Sequence, residues 1–313
     1  MPNLLLLLTP AFATPDATPL ADVAAAADMD VATVETLLQG VEKDSSILER
    51  MARPWEAKPW HAYRGLFLTD KRIREGQSFH QANAALFNRA EQQTGVPEGV
   101  VLAILGVETS YGTTMGNDPV VTALYTLGFH HRRGPFFRKE LGHFLRLATD
   151  EGWAIPERKG SYAGAMGMGQ FMPSSYREYA IDFDADGSID LFDSRADAIG
   201  SVANYLEVHG WKTGGAVLVE PTATGSNPES LVRKGLDLDQ TVGELAEAGV
   251  VLPDGPYDAS TPCRVFGFDV LDGDGNSTRE YRVAFQNFWV VTRYNRSPLY
   301  ARAVVELAEA LTD

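Results

Sequence analysis

Pro97-Glu98-Gly99-Val100-Val101-Leu102-Ala103-Ile104-Leu105-Gly106-Val107-Glu108-Thr109 is apolar on every side of a helix and opens with proline at a plausible first helical position. A helix without a polar face belongs in the middle of a domain. Its last turn carries one carboxyl, Glu108, followed by Thr109-Ser110-Tyr111-Gly112, where Gly112 is the expected left-handed end. Apolar surroundings disfavour a carboxylate, and the partial negative charge of a helix C-terminus disfavours it further. A carboxyl kept protonated near neutrality is what a general acid needs to protonate a glycosidic oxygen. The competing reading is a rim glutamate paired with an arginine.

Outward from this helix, the pattern is mostly helical. Apolar residues recur at helical spacing from Thr18 to about Asn88, as in Val31, Val34, Leu37, Leu38 and Val41. Pro54, Trp55, Pro59 and Trp60 mark an extended connection within that region. Further helices are expected at 117–127, 135–150, 173–180 and 194–208. From about Gly214 to Val291, β-branched and aromatic runs alternate with Gly, Asp and Asn turns, which predicts a small inserted β region. Leu299 to Leu311 returns to helix and is expected to pack back on an earlier helical layer.

The 313 residues carry 27 Lys plus Arg against 42 Asp plus Glu, a net charge of −15, which repels polyanions and argues against nucleic acid as a partner. The lone cysteine, Cys263, can make neither an intramolecular disulfide nor a thiolate cluster, and reads as a small buried residue. Leu4 to Leu8 followed by Ala11-Phe12-Ala13 has the form of an export signal, although no Lys or Arg precedes Lys43. That run is too short to span a membrane.

Gly160-Ser161-Tyr162-Ala163-Gly164-Ala165-Met166-Gly167-Met168-Gly169-Gln170-Phe171-Met172-Pro173 superficially invites a phosphate-loop reading. No strand precedes it and no Gly-Lys-Ser/Thr follows, so that reading fails. The loop offers close backbone approach, the Ser161 hydroxyl, the Gln170 amide and the rings of Tyr162 and Phe171. Those suit a carbohydrate groove, with core packing as the alternative for each ring. Asp182-Phe183-Asp184-Ala185-Asp186-Gly187-Ser188-Ile189-Asp190-Leu191-Phe192-Asp193 has oxygen side chains at positions one, three, five and nine and glycine at six. This is the EF-hand pattern for calcium, against a solvated acidic turn. Asp193 at position twelve is one methylene shorter than the usual glutamate, so Asp197 is a second candidate to close the shell. Asp272-Gly273-Asp274-Gly275-Asn276 reads more simply as a hairpin turn.

Taken in order, Val107 to Gly112, Gly160 to Gly167, Gly169 to Tyr176, the acidic loop, Asp197 to Tyr205 and Thr292-Arg293-Tyr294-Asn295 resemble the lytic murein transglycosylase B family, from about residue 28 onward. The resemblance implies a mainly α fold: a lysozyme-like catalytic core over 93–213 with a calcium loop at 182–197, a helical N-terminal domain over 14–92, and a small β-containing domain over 214–290. Residues 1–13 are then a signal remnant, and 291–313 a groove segment and C-terminal helix. Glu108 matches the family's acid/base. Ser161, Gln170, Tyr205, Tyr294 and Asn295 match groove residues, and Arg132 or Arg133 falls where the family has groove arginines. Tyr111, Tyr162 and Phe171 are assigned to the groove with them. Structural calcium is expected on Asp182, Asp184, Asp186, Ser188, Asp193 and Asp197. Glycan strands of peptidoglycan are the expected partner, with other cell-wall enzymes possible. With no cysteine near the start to lipidate, a soluble monomer in the periplasm or secreted is expected.

Ordinary glycosidases use two carboxylates. No second acid lies within a few residues of Glu108, Ser161 or Gln170, so one carboxyl is expected to serve twice, with the muramic acid's C6 hydroxyl attacking C1 to leave a 1,6-anhydro end. The rival enzyme is a muramidase that uses water. The rival of another class is a calcium-dependent glycan-binding protein without turnover. Arg132, Arg133, Arg138 and Lys139 form either a local cationic patch for peptide carboxylates or a solvated helix face.

Overall fold

A computed structural model describes residues 19–52 and 58–312. The export-signal reading of residues 1–13 and the Pro54-Trp55 half of the expected connection lie outside these. The N-terminal region is helical as expected: α1 (Pro19–Ala27), α2 (Val31–Leu37), α3 (Ser45–Met51), α4 (Trp60–Phe67) and α5 (Asp70–Thr94). Asp30, Asp44 and Thr69 start α2, α3 and α5 by accepting backbone N–H groups that the first turn leaves without partners. Trp60 differs from expectation. It opens α4, because Pro59 ahead of it is tolerated at a helix start, and its buried ring lies 4.4 Å beneath the Arg302 guanidinium.

The apolar stretch forms α6 (Glu98–Thr109), buried continuously from Gly99 to Val107 and packed between α5 and two later helices. After it come β1 (Asp118–Pro119), α7 (Val120–His130), α8 (Gly134–Asp150), β2 (Lys159–Gly160), α9 (Pro173–Tyr179) and α10 (Arg195–Val208). Helix α7 starts at Val120 and not 117, since Asp118 and Pro119 are committed to antiparallel pairing with Gly160 and Lys159. Helix α8 lies along α1 and α7, and Arg138 on it pairs with Asp22 at 2.8 Å and with the Gly128 carbonyl.

The β region comprises β3 (Leu218–Val219), β4 (Ala223–Thr224), β5 (Gln240–Thr241), α11 (Val242–Glu247), β6 (Val250–Val251), β7 (Pro262–Leu271) and β8 (Ser277–Ala284). A four-stranded sheet runs in the order β3-β8-β7-β5. The Asp272–Asn276 segment is the hairpin turn between β7 and β8, with the Asp272 carboxylate accepting the Asp274 and Asn276 N–H groups. Leu245, Val250, Cys263, Val265, Val283 and Phe285 form a second, smaller core. Cys263 is the small buried residue expected, and burial pushes its thiol up to about 12.

Residues 286–291, expected to continue the β region, instead belong to α12 (Gln286–Tyr294). Their β-branched run misleads: Phe288, Val290 and Val291 are buried where α12 meets α13 (Pro298–Thr312), and tertiary packing overrides propensity. The helix thus crosses the expected boundary at residue 290. The protein is mainly helical with a small sheet. Helix α13 returns to pack along α6, as the sequence suggested.

Candidate active site

Helix α6 ends abruptly at Thr109, one residue after Glu108. Ser110, Tyr111 and Gly112 are all left-handed, with φ of 49°, 61° and 85°, so the reversal begins two residues before the expected Gly112. Two non-glycine residues in that region are strained by about 1–2 kcal/mol each, which the surrounding bonds must offset. Thr109 supplies them: its hydroxyl donates to the Met168 carbonyl at 2.7 Å and accepts the Gly112 N–H at 2.9 Å. The turn that follows the acid is thereby stitched to the glycine-rich loop.

The Glu108 carboxyl accepts a 2.7 Å hydrogen bond from the Tyr300 hydroxyl at the start of α13. Among the described residues no arginine pairs with it. Burial raises its pKa from 4.5 to about 7, partly opposed by the Tyr300 bond, and among the described residues no charged side chain contributes. The residue is only partly buried, yet the protein packed around its carboxyl is enough to disfavour the charged form. Tyr294 stacks on Tyr300, with ring centres 6.5 Å apart and planes 8° from parallel, and donates to the Gly169 carbonyl at 2.5 Å. Burial first, then the Glu108 charge, holds both phenols neutral. Glu108 is therefore joined to the glycine-rich loop twice, through Thr109 and through the two tyrosines.

Within that loop, Ser161 Oγ accepts the N–H groups of Ala163 and Ala165, leaving its hydroxyl proton to donate. Gln170 spends its amide hydrogens on the Met115 and Gly167 carbonyls, at 3.1 and 2.9 Å, so its oxygen is what it has to offer. Phe171 is buried and meets Tyr205 and Tyr294 edge-on, at 5.7 and 5.8 Å. Tyr205 donates to the Arg293 carbonyl and stacks on His209 at 4.0 Å. Asn295, half-buried, caps α12 beside Tyr294, and Tyr162 lies under the Arg50 guanidinium.

One expected groove residue sits differently. Tyr111 fills the space between Gly76 and Gly106, stacks on Phe79 and donates to the Arg72 carbonyl, so it braces α5 against α6. Arg132 and Arg133 are exposed at the turn between α7 and α8, with the Arg133 guanidinium 4.7 Å from the Phe136 ring. Arg138, grouped with them in the sequence, is already spent on Asp22.

The acidic loop joins α9 to α10. Carboxylate oxygens of Asp182, Asp184 and Asp197 lie within 4.8 Å of one another. Asp197 is buried in the first turn of α10 and accepts the N–H groups of Phe183 and Asp190. Burial, and behind it the charges of Asp184 and Asp182, push its pKa up. Gly187 takes φ 93° at the turn. Asp186 and Ser188 are exposed and bonded to each other through the Ser188 N–H, and Asp193 is exposed outside the three-carboxylate group. Three carboxylates so close repel unless a hard cation sits among them, and oxygen donors suit calcium.

A family profile described as a transglycosylase SLT domain matches residues 13–309. The chain belongs to this family. It is 39% identical over 287 residues to the membrane-bound lytic murein transglycosylase B of Escherichia coli, covering 88% of this chain and 76% of that protein. The structure of the soluble lytic transglycosylase SltB1 from Pseudomonas aeruginosa superposes with a TM-score of 0.85 at 39% identity, covering 95% of this chain and 97% of that one. Slt35 from Escherichia coli, solved with calcium, gives 0.81 at 36% identity over 95% and 93%.

In this transglycosylase, two further features bear on the site. Tyr300 was not singled out by the sequence, where α13 reads as a packing helix; the one available signal is a hydroxyl on its buried face. Glu140, another buried carboxylate, is fully occupied by the Ser174 N–H and hydroxyl at the start of α9. A cavity of about 410 Å³ opens elsewhere, lined by Arg64, Glu220, Arg282 and Glu306, whose charges already pair within its walls.

Proposed function

We propose that the chain is a lytic transglycosylase of peptidoglycan, cleaving the β-1,4 bond between N-acetylmuramic acid and N-acetylglucosamine without water. The observation that carries this is Glu108: one carboxyl that burial brings to a pKa of about 7, with no charged partner among the described residues. It can give a proton to the leaving glycosidic oxygen as the C1–O bond breaks. The resulting carboxylate then takes the proton of the muramic acid's C6 hydroxyl as O6 bonds to C1, which restores Glu108 and yields the 1,6-anhydro end. An attacking hydroxyl tethered to the same ring outruns water when the ring is held bent. Ser161, Gln170, Tyr162, Tyr205, Tyr294 and Asn295 are the side chains assigned to hold it, with Phe171 packed behind Tyr205 and Tyr294, and Arg132 and Arg133 serving peptide carboxylates at the rim.

Calcium belongs with Asp182, Asp184 and Asp197, and its role is to clamp the loop to α10. This is supported by the three carboxylates there and by the calcium complex of a 36% identical relative. The EF-hand assignment extends to Asp186, Ser188 and Asp193. The domain plan is 14–92, 93–213 and a β-containing part that starts at 214 and ends before α12, at 285 and not 290, and the working place is the cell envelope, where the substrate lies. Among the described residues no helix is long and apolar enough to cross a membrane.

The test is mass analysis of fragments released from purified sacculi by the wild type and by Glu108→Gln. Anhydromuramoyl ends from the wild type, and at least 100-fold slower release by the variant, are expected. Reducing muramic acid ends would point to the water-using route, and equal release by the variant would remove Glu108 from the chemistry.

A further inference from the structure

Ser161 and Gln170 share a support that neither the glycine-rich loop nor α6 provides. The segment 115–119 runs between them. Its Met115 carbonyl accepts the Gln170 amide, and Asp118 and Pro119 pair with Gly160 and Lys159 immediately before Ser161. Gly116, at φ 93°, lies so close that a Cβ there would stand 2.0 Å from the Gly160 carbonyl oxygen and 2.6 Å from the Ser161 nitrogen. The same segment follows the turn after Glu108, with the Thr114 N–H bonded to the Thr109 carbonyl. It therefore sets the spacing between the acid and the two groove side chains.

What holds this segment from outside is one residue of the N-terminal helices. Arg50, in the last turn of α3, grips Asp118 with both terminal nitrogens, at 2.8 and 2.6 Å, and the same guanidinium lies 5.3 Å from the centre of the Tyr162 ring. A bidentate fork fixes orientation as well as distance, and a cation over a ring face fixes the ring. Helix α3 is itself seated on α7, with the Asp44 N–H donating to the Thr126 hydroxyl.

We propose that Arg50 is a positioning residue for the transglycosylation. Acting through Asp118 and Tyr162, it holds segment 115–119 and the Ser161 loop in register with Glu108. The N-terminal helices are then part of the catalytic apparatus without touching the reacting atoms. The proposal rests on the reading of Glu108 and its groove given above.

The test uses the full chain on soluble glycan fragments, with Arg50→Lys, Asp118→Asn and the pair combined. Lysine keeps the charge but not the fork. Each single variant is expected to lower kcat about 10-fold with KM within 2-fold, since a displaced loop misaligns the sugar while most of the groove still binds it. The double variant should be no worse than either single one, because both act through the same link. A loosened wall should also let water compete, raising the share of reducing ends among the products. Thermal denaturation separates this from unfolding, and Tyr162→Leu, which leaves the ion pair intact, should show a smaller change of the same kind. A higher KM at unchanged kcat, additive losses, or wild-type kcat and products in Arg50→Lys would each overturn the proposal. If the wild type itself releases no anhydromuramoyl ends, the underlying reading fails instead.

Discussion

Replacing Glu108 by glutamine removes a titration while keeping the side chain's size and an oxygen for the Tyr300 hydroxyl to donate to. In the native protein the carboxyl titrates at about 7, against an ordinary 4.5 that applies once the chain unfolds. Between those values the native state binds more protons than the unfolded state, so stability falls as pH rises through the window from 4.5 to 7. Above 7 the loss is complete. At about 1.4 kcal/mol per tenfold in affinity for the proton, it amounts to roughly 3 kcal/mol, an upper figure for a residue that is only partly buried. Glutamine suffers no such loss. Glu108→Gln is therefore expected to gain roughly 2–3 kcal/mol relative to the wild type between pH 4.5 and pH 8, read as diverging urea midpoints with calcium held constant. All other titrations are common to both proteins and cancel in the difference. A stability difference that is the same at both pH values would refute a Glu108 kept neutral by burial.

Tyr300→Phe removes the one bond that lowers the Glu108 pKa, so the alkaline limb of the pH–rate profile should move upward from about 7; an unmoved or lowered limb would show that the hydroxyl does not act on the acid. Chelation of calcium should lower the melting temperature by several degrees, by mass action on a site present only in the folded chain. Asp197→Asn should abolish that dependence, and Asp193→Asn, altering a proposed ligand outside the three-carboxylate group, should weaken calcium affinity by less, as followed by thermal shift against calcium concentration.

Much of this architecture was legible because its strongest signals are local. The all-apolar α6, the amphipathic α8 and the Asp272–Asn276 turn each need only a short window of sequence. The acid on α6 could be picked out for the same reason: a lone carboxyl in an apolar helix has few ways to be satisfied. What escaped depends on distant partners. The β-branched residues of 286–291 look like strand until α13 is known to cover them as a helix face. Tyr111 looks like a groove residue by its place beside Glu108, yet the left-handed turn swings its ring into the gap left by Gly76 and Gly106. Tyr300 and Arg50 carry no motif at all, because their roles arise from residues 192 and 68 positions away.

That separation of 192 residues between Tyr300 and Glu108 has a consequence for how the enzyme comes into being. While the ribosome is still adding residues short of Pro298, a nascent chain holds the acid but lacks both the phenol that addresses it and the helix that shuts out water beside it. Contacts of such long range close late. The surroundings of the proton donor are thus complete only once the final helix docks along α6.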